Sequence, residues 1–102
     1  MIALVEAKRA QIEQLCRQYR VRRLDAFGSA AGERFHAETS DLDFLVEFLP
    51  LPRGERADAY FGLLEALQDL FGRPVDLVMT RAITNEYFRR AVEQSREVVY
   101  AA

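Results

Sequence analysis

Cysteine and histidine are each present once in the 102 residues. Cys16 alone can build neither a disulfide framework nor a zinc cluster. It falls on the apolar stripe of the first helical pattern, so a buried, inert thiol is expected. His36 lies in a polar stretch, the setting of a solvated side chain rather than a ligand. An excess of positive charge is also missing: 14 Lys and Arg stand against 16 Asp and Glu, a formal net charge of −2, which leaves no footprint for wrapping long nucleic acid. No apolar run approaches the roughly 20 residues that span a bilayer. The opening MIALVEAKRAQIEQL, charged every few residues and without an apolar core, does not read as a signal peptide. Repeats, low-complexity segments and linkers are absent. Half the residues are hydrophobic and 29% charged, so the expectation is one folded domain over 1–102, in the cytoplasm.

Four helical or near-helical patterns alternate with strand patterns. Residues 1–20 read as a helix with Val5, Ile12, Leu15, Cys16 and Tyr19 on one stripe. Residues 21–27 read as a strand with Leu24 and Ala26 on one face and Arg23, Asp25 and Phe27 on the other. It stops at Gly28, where the chain must turn, and Ser29 is placed to cap a short helix with its hydroxyl facing outward. A polar loop covers 33–40, and a second strand 41–48. Pro50 and Pro52 exclude both helix and central strand from the LPLPRGER loop. Residues 56–71 form the clearest helix, with Tyr60, Leu63, Leu64, Leu67, Leu70 and Phe71 at spacings of three and four, closed by Gly72 and Pro74. Residues 75–79 read as a short strand. Thr84 is expected to cap a last helix over 85–93 that buries Tyr87, Phe88, Ala91 and Val92, and 98–100 as a short edge strand. The order indicates a small α/β sandwich, with helices on a sheet of three or four strands whose order the pattern leaves open.

The chemistry concentrates in FGSAAGERFHAETSDLDFLVEF, residues 27–48. In a strand over 41–48, Asp41 and Asp43 share a face while Leu42, Phe44, Val46 and Phe48 point the other way into a core. Two like charges side by side at the rim of a core each raise the pKa of the other unless a cation lies between them. Beside a Gly-Ser turn with free backbone N–H groups, they suggest a divalent-metal and phosphate site. Glu47 follows the same alternation but lies on the order of 13 Å beyond Asp43, a solvated strand position. An EF-hand is excluded, because Leu45, Val46 and Phe48 stand where a calcium loop needs polar ligands.

Gly28-Ser29, eleven residues, then Asp41-Leu42-Asp43 and an apolar run resembles the signature of the nucleotidyltransferase superfamily that includes DNA polymerase beta. The wording FGSAAG…SDLDFLVEF and the short chain resemble its minimal nucleotidyltransferase (MNT) subgroup, commonly antitoxins partnered with a small helical toxin of the HEPN type. The likeness runs from 24 to 78. It implies a polymerase beta-like fold, a small mixed sheet packed by helices, with the Gly-Ser turn and the aspartates at one end. It also implies Mg²⁺, two ions when a nucleotide is bound, held by Asp41 and Asp43. A third carboxylate completes such sites from a separate strand, and Asp76, the only acid of VDLV, alternates away from Val75 and Leu77. The triphosphate would lie on Gly28 and Ser29. Relatives carry an Arg or Thr before the loop glycine, whereas this chain reads GSAAG with Arg34 after it, so the role of Arg34 stays open.

On this resemblance the chain would move a nucleoside monophosphate, AMP from ATP, onto a hydroxyl of a HEPN-type toxin. The stretch after Asp76 is expected to be too short for an acceptor-gripping domain, so the partner would supply the acceptor surface. Two other readings remain: an antitoxin that neutralises by binding alone, and a transferase acting on a small molecule. A homo-oligomer is left open as well.

Overall fold

The computed structural model describes residues 1–31 and 41–102. The expected polar loop over 33–40, with Arg34 and His36, lies outside the described residues. The elements are α1 (Ala3–Ala7), α2 (Arg9–Gln18), β1 (Val21–Phe27), a 3₁₀ turn (Gly28–Ala31), β2 (Leu42–Phe48), α3 (Glu55–Phe71), β3 (Val75–Met79), α4 (Glu86–Ser95) and β4 (Glu97–Ala101).

The strands form one mixed sheet in the order β3-β2-β1-β4. β1 is antiparallel to both β2 and β4, whereas β2 and β3 run parallel, as a strand pair joined by a crossover helix must. That helix is α3, ended by Gly72 in the left-handed conformation at φ 64°, which a residue without Cβ adopts freely. The alternation read from the strands holds. Leu24, Ala26, Leu42, Phe44, Val46 and Leu77 are buried on one face, against Val5, Ile12 and Cys16 of the N-terminal helices and Leu63 and Leu67 of α3. β4 occupies an edge, as expected. Among the described residues no helix is long and apolar enough to cross a membrane.

Two expectations are corrected. The single helix over 1–20 is broken at Lys8 (φ −106°, ψ 9°), whose N–H bonds back to Val5. Tertiary anchors override the continuous pattern: the Met1 ammonium pairs with Glu97 at 2.7 Å and the Ile2 N–H reaches the Ala30 carbonyl. The last helix is capped by Asn85, not Thr84, with its side chain accepting from the N–H groups of Tyr87 and Phe88. It buries only Val92; Tyr87 is 85% exposed, Phe88 39% exposed, and Ala91 faces solvent. The reason is partial coverage. On the sheet's second face α4 meets only a small cluster of Phe27, Leu45 and Val92, flanked by Val78 and Ile83, too narrow to bury a whole helical face.

Candidate active site

The register of the sheet assembles the site. β1 pairs with β2 so that Phe27 lies opposite Asp43, which carries the turn after β1 directly onto that aspartate. β2 pairs with β3 so that Asp43 lies opposite Asp76. Asp43 is therefore central, with the Gly-Ser turn on one side and Asp76 on the other. Asp41 stands one residue ahead of β2 rather than inside it and is exposed.

Gly28 sits at φ 53°, a left-handed conformation that favours glycine. A Cβ built on it would stand 2.8 Å from Asp43 Oδ2, so backbone and carboxylate approach each other more closely than any side chain allows. Ser29 uses that proximity. Its N–H donates to Asp43 Oδ2 at 3.2 Å and its hydroxyl lies 3.0 Å from the same oxygen, also in reach of the Asp41 carbonyl. The hydroxyl is therefore turned in toward the carboxylates instead of outward as expected, because Asp43 offers a charged acceptor that solvent cannot match for strength.

Asp76 is exposed, yet its carboxyl is raised above the ordinary aspartate value, first by partial burial and then by the negative charges of Asp43 and Asp41. The three carboxylates thus share one electrostatic field. Tyr60 of α3 joins it: its hydroxyl donates to the Leu77 carbonyl at 2.6 Å, and burial and then Asp76 raise its pKa. Among the described residues no three His, Cys, Asp or Glu side chains stand close enough to enclose a metal ion unaided. The donor chemistry nonetheless suits a hard cation, which takes one or two carboxylates and completes its shell with phosphate and water oxygens. Asp43, with Oδ2 bonded to Ser29, is the carboxylate whose position the fold holds most firmly.

Three further residues belong to this neighbourhood and were missed from the sequence. The Ser95 hydroxyl, at the end of α4, accepts from the Gly28 N–H at 3.0 Å. Asp25, given no role in the sequence analysis, is fully buried between Arg23 Nε at 2.9 Å and Arg96 Nε at 2.6 Å. Arg96 also binds Glu93 at 2.7 Å. The end of α4 is thus fastened to β1 and to the Gly-Ser turn. Asp25 shared a strand face with Phe27 in the sequence pattern, which was a usable signal; Ser95 and Arg96 lie some seventy residues away and had none.

A nucleotidyltransferase domain family matches residues 8–99. A proposed protein adenylyltransferase from Methanocaldococcus jannaschii is 39% identical over 77 residues, 76% of this chain and 74% of that protein. The solved structure of a proposed minimal nucleotidyltransferase superposes with a TM-score of 0.74 at 31% identity, over 94% of this chain and 95% of that one. A chain of the Shewanella oneidensis complex between a tri-AMPylated HEPN toxin and an MNT antitoxin gives a TM-score of 0.64 at 18% identity, over 95% and 72% of the two chains, a likeness of fold alone.

Proposed function

This chain belongs to the nucleotidyltransferase domain family, and from that premise we propose that it moves AMP from ATP onto a hydroxyl of a HEPN-type toxin, as that toxin's antitoxin in the cytoplasm. The observation that carries the reading is Asp43, hydrogen-bonded to Ser29 and in register with Asp76. The adenylyltransferase and antitoxin relatives support the substrate and the partner. Residues 1–102 are taken as one catalytic domain, and the partner presents the acceptor hydroxyl.

In this reading Asp41, Asp43 and Asp76 are the metal ligands and catalytic residues, with hard oxygen donors suited to Mg²⁺. Bound Mg²⁺ supplies the positive charge that offsets the α-phosphate and the leaving pyrophosphate. Gly28 and Ser29 bind the triphosphate: the Ser29 hydroxyl, which donates to Asp43 here, has a phosphate oxygen as its alternative acceptor. The missing side chain of Gly28 keeps the backbone close enough for phosphate to approach. Asp76 takes the proton of the incoming hydroxyl.

The experiment is transfer of label from α-labelled ATP to a co-purified toxin, alongside growth on co-expression. Asp76→Ala is expected to slow transfer by two orders of magnitude or more, the range lost with a proton-transfer group, while ATP binding through Asp41 and Asp43 persists. Growth should fail although a pull-down still recovers the toxin. Growth restored without transfer would overturn the enzymatic mechanism and leave neutralisation by binding. Transfer to a small-molecule hydroxyl with the toxin untouched would overturn the choice of acceptor.

A further inference from the structure

The opposite end of the sheet carries a concavity. β2 and β3 run parallel away from the carboxylates. Four residues on from Asp43 and Asp76, ~13 Å along each strand, Glu47 and Thr80 enter the wall of a cleft of about 440 Å³. Half-buried Phe48, Leu49 and Met79 form its apolar floor, and exposed Arg22, Arg56 and Arg81 line its rim. Only one of the three is neutralised within the cleft: Arg22 pairs with Glu47 at 3.4 Å. Among the described residues Arg56 and Arg81 have no salt-bridge partner. The acids nearest to Arg56 in sequence, Glu55 and Asp58 in the first turn of α3, line a neighbouring cleft beside Arg20 instead.

A chain with formal net charge −2 thus gathers uncompensated positive charge in one hollow, where low-dielectric walls focus the field. Pro50 stiffens the rim, which reduces the ordering cost of filling it. The volume lies within the range of roughly 300–1,000 Å³ that small molecules occupy. Guanidinium forks on a rim match the tetrahedral oxygens of phosphate, while the floor of Phe48 and Met79 has nothing to offer a bare inorganic ion.

We propose that this cleft is a second ligand site, separate from the carboxylates, that takes a phosphomonoester carried on an aromatic or aliphatic body. The phosphate lies between Arg56 and Arg81, and the apolar body covers Phe48 and Met79.

The test is an amide-resolved NMR titration of metal-free protein with phenyl phosphate in the presence of a chelator. Saturable shifts are expected at Phe48, Leu49, Thr80 and Arg81. Arg56→Gln with Arg81→Gln should weaken binding roughly tenfold or more, the loss of charge-assisted hydrogen bonds. Asp41→Asn with Asp43→Asn should leave the affinity unchanged. Inorganic phosphate should bind at least roughly tenfold more weakly than phenyl phosphate, since it leaves the floor in water. Both arginines are exposed, so the amide spectrum away from the cleft should stay that of the folded protein; each single variant carries the same test at smaller amplitude. Equal affinity in the arginine variants, shifts confined to Gly28 and Ser29, or no saturable binding at millimolar phenyl phosphate would overturn the proposal.

Discussion

At the scale of single residues, Gly28 shows most directly how the site depends on something small. Any Cβ there meets Asp43 Oδ2 at 2.8 Å while the backbone stays at φ 53°. Gly28→Ala is therefore expected to cost about 1–2 kcal/mol for the left-handed conformation and to displace Asp43. The check is a urea unfolding curve together with label transfer; a variant equally stable and equally active would remove the close approach from the argument. Cys16 behaves oppositely, as the sequence reading expected. It is fully buried, and burial followed by the nearby charge of Glu13 lifts its thiol from the ordinary 9.0 to about 12. Native protein should leave it unmodified by iodoacetamide at neutral and mildly alkaline pH, and urea should expose it. Rapid modification of the folded chain would contradict that burial.

The elements owe their placement to a few contacts that reach far along the chain. α4 is held at its start by Asn85 and at its end by Ser95 on Gly28 and Arg96 on Asp25. Asn85→Ala is expected to lower stability by about 1 kcal/mol, the value of a lost N-cap. Thr84→Ala should change it by less than ~0.5 kcal/mol, as surface substitutions do. Thermal unfolding of both variants distinguishes them, and the reverse ranking would return the cap to Thr84. The ion pair of Asp25 works differently from these caps. Asp25 is fully buried while Arg96 keeps a side chain 20% exposed, so the arginine brings the charge partner in from the rim and spares the core a lone carboxylate.

For the molecule as a whole, charge is distributed unevenly: three aspartates crowd one end of β2 and β3, and Arg22, Arg56 and Arg81 line a cleft at the other. In the metal-free protein this crowding opposes folding. The folded pKa of Asp76 lies above its ordinary value of 3.8. Its contribution to stability is therefore fully present below that value and is lost as pH rises through the folded pKa. Asp76→Asn removes the titration, so in chelator it should match wild type at acid pH and exceed it at neutral pH. Urea midpoints at the two pH values measure this, and a variant less stable than wild type at neutral pH would mean that Asp76 makes a favourable contact outweighing the repulsion.

Local pattern determined most of the framework by itself. Alternation in β1, β2 and β3 decided which side chains are buried and set Asp43 and Asp76 on the face away from the core, because a strand has only two faces. The spacing of three and four residues in α3 and the breakers after it were legible for the same kind of reason. Tertiary structure alone decided the rest. The strand order and the parallel register of β2 with β3 brought Asp76 opposite Asp43, and no residue near either one encodes that pairing. The break at Lys8 came from anchors on Glu97 and Ala30, and the exposure of Tyr87 and Phe88 from how little of the second face α4 covers. Ser95 met the Gly-Ser turn, and Arg96 met Asp25 of β1, across some seventy residues. A propensity describes a residue and its near neighbours, whereas a contact of that separation exists only once the whole sheet has closed.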